Sequence, residues 1–177
     1  MAQAAKVFAE EGYAGVSVRD LAARSGVTSG AIYGHFDGKA DLLMAAISGH
    51  IDDDLMRVPP PGLETLAEVD AHIFAHYPER QRLRALLVEG AVAARHDPDV
   101  RRRLGGEHTE RLDEWTDVYR SWQEQGEIAA DLDVRAVLVT LWSIELGLGV
   151  LEALGVDLPD PDAVSTVIER LFAGLSS

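Results

Sequence analysis

The sequence predicts an all-α protein of about nine helices: an N-terminal three-helix unit containing a helix-turn-helix, then a larger helical part. Three observations lead there. Ala, Leu, Glu and Arg are abundant, and no long stretch alternates apolar with polar residues as a half-buried strand would. Glycine and proline punctuate the chain at helix-length intervals, with Pro59-Pro60-Pro61 a hard stop because three prolines cannot continue a helix. Between the breaks, apolar residues recur three and four apart, as in Val18, Leu21 and Ala22.

Taken in order, the first helix covers 2–11 and ends at a turn bracketed by Gly12 and Gly15. The second covers 17–24. Ser17 followed by Asp20 is a capping box: the hydroxyl takes an orphan amide of the first turn and the carboxylate reaches back. Ser25-Gly26-Val27 is a short turn in which glycine can adopt positive φ, and Val27 is expected to pack between the two helices. Thr28 caps the third helix, 28–35, whose inward residues are expected to be Ala31 and Ile32, with Phe36 closing the unit. A long fourth helix over 39–57 would link the two parts. Helices over 63–76, 79–95, 99–125 (with a break expected at Gly105-Gly106), 133–154 and 162–174 complete the chain. These readings divide it into two parts, 1–46 and 47–177.

Outward on the third helix stand Ser29, Gly30, Tyr33, Gly34 and His35. Small and polar residues with one aromatic let a helix lie close in a major groove. Lys39 adds a cation at the start of the next helix, beside amides that favour an anion. The net charge of −14 gives no support to nucleic acid by itself. Residues 1–50 hold four basic and five acidic side chains, and the remaining twelve basic and 25 acidic leave 51–177 at −13. DNA contact must therefore come from the first fifty residues and from local geometry.

The segment F-x-x-x-G-Y-x-G-x-S-V-R-D-L-A-A-R-S-G-V-T-S-G-A-I-Y-G-H-F-D-G-K-A-D-L-L, Phe8 to Leu43, resembles the N-terminal domain of TetR-family transcriptional regulators. The resemblance is ungapped over about a quarter of the chain; the rest is similar in plan only. It implies a homodimeric repressor that binds a palindromic operator and is released by a small-molecule effector. It also places Thr28, Ser29, Gly30, Tyr33, His35 and Lys39 on positions that touch operator DNA, with Ser17 at a phosphate. Two departures stand out. Gly34 occupies a position where the family often carries a bulky aromatic. The first helix also begins almost at Met1, without the basic residues that usually precede it, which implies a truncated start or a weaker grip on the backbone.

Residues 136–151, AVLVTLWSIELGLGVL, are apolar nearly all round, so every face must be buried. The run is too short and too interrupted for a membrane span, which needs about 20 apolar residues. A second subunit could cover what one chain leaves open. The dimer face is expected at Leu138, Leu141, Trp142, Glu145 and Leu148, with Val164, Ile168, Leu171 and Phe172 from the last helix; the resemblance implies a four-helix interface there. Polar and aromatic residues that could line an effector pocket are His72, His76, Glu89, Trp115, Tyr119, Trp122, Trp142 and Glu145. Each is at least as readily ordinary core or rim.

His72 and His76 share a helix face, but no third ligand is evident in sequence, so no metal site is expected. Arg101-Arg102-Arg103 reads as a solvated helix end. No G-x-S-x-G, P-loop or H-E-x-x-H appears, and Gly147-Leu148-Gly149 lacks the third glycine of a dinucleotide fingerprint, so neither enzymatic activity nor a cofactor is expected. The chain has no cysteine, and Glu10 and Glu11 stand where a secretory signal would be apolar, so the expected location is cytoplasmic. A rival reading stays open, motivated by Gly34 and the slightly acidic first fifty residues: a helical small-molecule sensor or scaffold whose helix-turn-helix no longer binds DNA.

Overall fold

The computed structural model describes residues 2–50, 62, 64–75 and 80–174. Among them are nine helices and no strand: α1 Ala2–Gly15, α2 Val18–Ser25, α3 Ser29–Tyr33, α4 Lys39–Ser48, α5 Leu66–Ala75, α6 Gln81–Ala93, α7 Pro98–Glu124, α8 Val134–Ala153 and α9 Pro161–Ala173. They build two compact units, Met1–Ile51 with Arg82–His108, and Asp52–Gln81 with Thr109–Ser177.

In the first unit, α1, α2 and α4 close over Phe8, Leu21, Leu43 and Ile47, and the later segment adds Leu86 and Val100, all essentially excluded from water. Gly90 of α6 lets that segment approach: a Cβ there would stand 2.9 Å from the Leu104 side chain and 3.5 Å from that of Ile47. In the second unit, α5 packs on α9. Val69, Trp115, Tyr119, Trp122, Ile128, Leu138 and Ile168 form its core. Thr65 and Glu68 make a capping box at the start of α5, the Thr65 hydroxyl accepting from the Glu68 amide at 3.2 Å and the Glu68 carboxylate accepting from the Thr65 amide at 3.0 Å. Trp122 donates from Nε1 to the Glu64 carbonyl at 2.8 Å, satisfying the one polar atom of a buried indole.

Three expectations about element ends need correction. The first helix runs on past Gly12 to Gly15, but Gly12 sits at φ 77°, ψ 158°, so the foreseen turn survives as a kink. The fourth helix stops at Ser48, where Gly49 and His50 fold back onto Ala45 and Ile47; residues 51–57 of its expected course lie outside the described residues. No break occurs at Gly105-Gly106. Both glycines lie within the 27-residue α7, whose backbone hydrogen bonds outweigh a propensity cost of roughly 1 kcal/mol per glycine.

Candidate nucleic-acid interface

Local chemistry builds the helix-turn-helix much as the sequence implies. The Ser17 hydroxyl accepts from the Asp20 amide at 3.2 Å, and the Asp20 carboxylate accepts from the Ser17 amide at 3.0 Å, so the capping box at α2 is complete. At the far end Gly26 takes the left-handed conformation, φ 69°, and the Val27 amide closes on the Ala22 carbonyl at 3.1 Å. Thr28 then caps α3 through the Ala31 amide at 3.1 Å.

The turn differs from expectation in one respect. Val27 is 47% exposed and does not wedge between the helices, because the left-handed glycine directs it outward once its amide has closed the cap. Ala31 is exposed too. With α3 only five residues long, a single inward position is available, and Ile32, 8% exposed, fills it against the core that holds Leu21 and Ala22.

The face left to solvent carries Thr28, Gly30, Tyr33, Gly34 and His35, with Ser29 half-buried; Ser17 is exposed at the start of α2. Tyr33 is 59% exposed, unusually open for a residue that normally buries its ring. Gly34 has right-handed helical dihedrals, and a Cβ would meet only the Gly30 and Ala31 carbonyls at 3.5 Å. Its backbone does not require glycine, so the missing side chain simply leaves that part of the face open.

Lys39 is placed otherwise than expected. Its ammonium donates to the Tyr13 carbonyl at 2.8 Å and the Val16 carbonyl at 3.0 Å, and lies 4.1 Å above the Tyr13 ring. It fastens the end of α1 to the start of α4 rather than reaching outward. Tyr13 in turn donates its hydroxyl to Asp97 at 2.6 Å and its amide to Glu89 at 2.5 Å. Burial first, and then the bond to Asp97, push the Tyr13 phenol far above its usual range, so it stays a donor at any working pH.

The same contacts set an acid limit. Hydrogen bonds, that from Tyr13 foremost, hold Asp97 below the ordinary 3.8, and those from Ser17 do the same for Asp20. A carboxylate whose value is depressed on folding contributes stability that is complete above the unfolded value and is lost as pH falls through the folded one. The first unit is therefore expected to hold its stability from neutral pH down to about 4 and to lose it below. Asp97→Asn should flatten that acid limb, as read by the urea midpoint against pH.

Charge is sharply partitioned between the units. Met1–Ile51 with Arg82–His108 holds ten basic and nine acidic residues, a balance of +1. The other unit holds six basic and 21 acidic, a balance of −15. The segment around Arg95, Arg101, Arg102 and Arg103 is what relieves the acidity of the first fifty residues. Arg103 pairs with Asp41 at 3.1 Å and Asp37 at 3.3 Å, neutralising carboxylates beside the α4 N-terminus.

The remaining sequence-predicted residues scatter. Glu89 belongs to the first unit, where it accepts the Tyr13 amide, and the aromatic pocket candidates belong to the second. Trp115, Tyr119 and Trp122 are brought together, Tyr119 and Trp122 with ring centroids 5.1 Å apart, but as 2–6% exposed core. Glu145 is half-buried and ion-paired with Arg80 at 2.8 Å. Trp142 and His72 are half-buried; His76 lies outside the described residues.

Of the expected dimer face, Leu138 and Ile168 are 1% and 4% exposed in their own unit's core. Leu141, Trp142, Leu148 and Val164 are half-buried, and Leu171 is 54% exposed. The other large apolar side chains that face out in this unit are Val139, Leu146, Val150, Leu151, Leu154, Val156 and Val167. A helix apolar on all sides gives no phase in sequence, so the exposed α8 residues could not be told there from the buried ones.

Residues 1–46 match the family model for bacterial regulatory proteins of the tetR family. The repressor KstR2 of Rhodococcus jostii is 27% identical over 142 residues, covering 74% of this chain and 67% of that protein. The repressor AcnR of Corynebacterium diphtheriae is 37% identical over 112 residues, 63% of this chain and 56% of that protein. Its N-terminal 46 residues are a domain of the tetR-family type. The chain spans about half to two thirds of the length of these two repressors. In fold it is similar over 97% of its length to the transcriptional regulator FadR from Bacillus subtilis, solved in complex with stearoyl-CoA (TM-score 0.73, 21% identity, 94% of that chain covered).

Proposed function

We propose that the protein is a ligand-released transcriptional repressor that binds a palindromic operator as a homodimer in the cytoplasm. The observation that carries this reading is the capped helix-turn-helix. Its recognition helix is anchored inward by one residue and open outward along Thr28, Gly30, Tyr33, Gly34 and His35, within a unit whose charge is close to balanced. Ser17, Ser29 and these residues are the contacts with operator DNA. Lys39 acts from behind, on the carbonyls it holds.

The dimer face follows from exposure. Ala136, Thr140, Ser143, Gly147, Val150 and Leu154 recur at alternating spacings of four and three along α8, and every one is exposed. That is a coiled-coil seam, with small residues that allow close approach over its first two thirds. The Thr140 and Ser143 hydroxyls already donate to the Ala136 and Val139 carbonyls of their own helix, so an apolar partner can cover them without stranding a donor. Val167 and Leu171 extend the surface on α9. A second copy of this chain is the occupant that a twofold operator calls for.

The second unit is the place for an effector. The half-buried Trp142 and His72 and the Arg80–Glu145 pair are its candidate polar and aromatic contacts. A neighbour in fold that was solved with stearoyl-CoA supports a small-molecule ligand of some kind for this chain too.

The test is a binding isotherm on a duplex selected by the full-length protein from a random-sequence pool, repeated across salt. Counterion release predicts a steep, linear fall of log affinity with log salt, about a thousandfold or more between 50 and 200 mM if six or more phosphates are touched. A flat response, or no saturable binding of any selected duplex, would favour the rival reading of a helical sensor or scaffold.

A further inference from the structure

We infer that Tyr13 is a positioning residue for operator binding, and that Glu89 and Asp97, far along the chain, are working parts of the DNA-reading machinery through it. The inference rests on the operator-binding reading above. Its starting point is the kink in α1. Gly12, at φ 77°, ψ 158°, breaks the helix and frees the Tyr13 amide from its ladder. Glu89 accepts that amide at 2.5 Å, across 76 residues of sequence. A Cβ on residue 12 would stand 3.2 Å from the Glu89 carboxylate oxygen, so glycine serves both the dihedral and the approach.

The Tyr13 side chain, 6% exposed, is held on every side. Its ring stacks on Phe8 with centroids 6.0 Å apart and carries the Lys39 ammonium on a face. Its hydroxyl meets one oxygen of Asp97 at 2.6 Å. The other Asp97 oxygen accepts the Asp99 and Val100 amides at 2.9 and 3.3 Å, capping α7, so the acceptor is itself fixed. The Tyr13 and Val16 carbonyls take Lys39. Ser17, the N-cap of α2, is the next residue in the chain. The start of α2 and the start of α4 are therefore both referenced to this one tyrosine. Through α2 and its turn, so is α3. Residues 1–46 alone contain neither carboxylate.

The experiment compares full-length wild type with Tyr13→Phe, Asp97→Ala, the double variant and Asp97→Asn on the selected duplex. The temperature is one at which circular dichroism shows every variant folded. Tyr13→Phe keeps the ring, its stack and its cation contact but loses the bond to Asp97. It and Asp97→Ala are each expected to weaken binding about tenfold, the effect of losing one charge-assisted hydrogen bond if it is expressed fully in DNA binding. The double variant should lose no more than either alone, and Asp97→Asn, whose oxygen can keep the cap while its Nδ2–H donates to the Tyr13 hydroxyl, should recover most of the affinity. The salt slope should not change, since no phosphate contact is removed. Val100→Ala supplies the control: it opens the same core while keeping the backbone amide on Asp97 and every Tyr13 hydrogen bond, and should bind as wild type does. Wild-type affinity in Tyr13→Phe and Asp97→Ala, additive losses in the double variant, or an equal loss in Val100→Ala would each overturn the inference while leaving operator binding standing. Failure of the wild type to bind any selected duplex would sink both.

Discussion

A chain carrying Val150→Asp and Leu154→Asp is expected to sediment as a monomer and to bind a two-half-site operator at least a hundredfold more weakly than wild type. Both residues are exposed, by 46% and 72%, so the substitutions leave the core of the folded chain untouched. They lie on the seam of exposed residues that alternates by four and three along α8, where a twofold partner would bring each carboxylate against its own copy or another apolar side chain. Burying an unpaired carboxylate there costs several kcal/mol per site. The consequence for DNA is one of avidity. A dimer holding one half-site presents its second recognition helix at an effective concentration in the millimolar range, which adds about 10²–10⁴ to the affinity without a new contact. Sedimentation and the operator isotherm together check the result. A dimer that persists with unchanged affinity would place the symmetry contact elsewhere.

Phe8→Ala is the second large effect, and Val27→Ala is its counterpart. Phe8 is fully buried among the core of the first unit and stacks on Tyr13. Truncating a buried phenylalanine costs about 3–5 kcal/mol, a large share of the roughly 5–15 kcal/mol that holds a domain folded. The first unit should lose cooperative structure at a far lower urea concentration, and operator binding with it. Val27 was read from sequence as the wedge between α2 and α3, a role that would give it a cost of similar kind. Because it is 47% exposed, its truncation is expected to stay within about 0.5 kcal/mol. Urea midpoints for the two variants decide the matter. Equal destabilisation would mean that the turn packs as first expected.

The contrast between these two residues shows where sequence reasoning reaches. What the chain by itself determined are the features set by neighbours three or four positions away. The Ser17–Asp20 box, the left-handed Gly26 and the Thr28 cap are all features of that range, written in residue types and found where expected. Which side of α3 turns in follows from them only in part: Ile32, its one strongly apolar residue, is buried as expected, while Ala31 stands exposed. What only the tertiary structure decided depends on contacts between segments distant along the chain. Leu138 turns inward and Val139 outward on a helix where both are equally apolar, because that helix shares a core with Trp115 and Ile168 on other helices. Tyr13 meets Asp97 across 84 residues, and no local pattern marks either as a partner of the other. The charge balance of the first unit changes sign for the same reason: the arginines that supply it are remote in sequence and join it only when the chain folds. Backbone hydrogen bonding and capping are short-range forces, and so they can be read along the chain. Burial of apolar surface carries no directional information, so its outcome is fixed only by which segments finally meet.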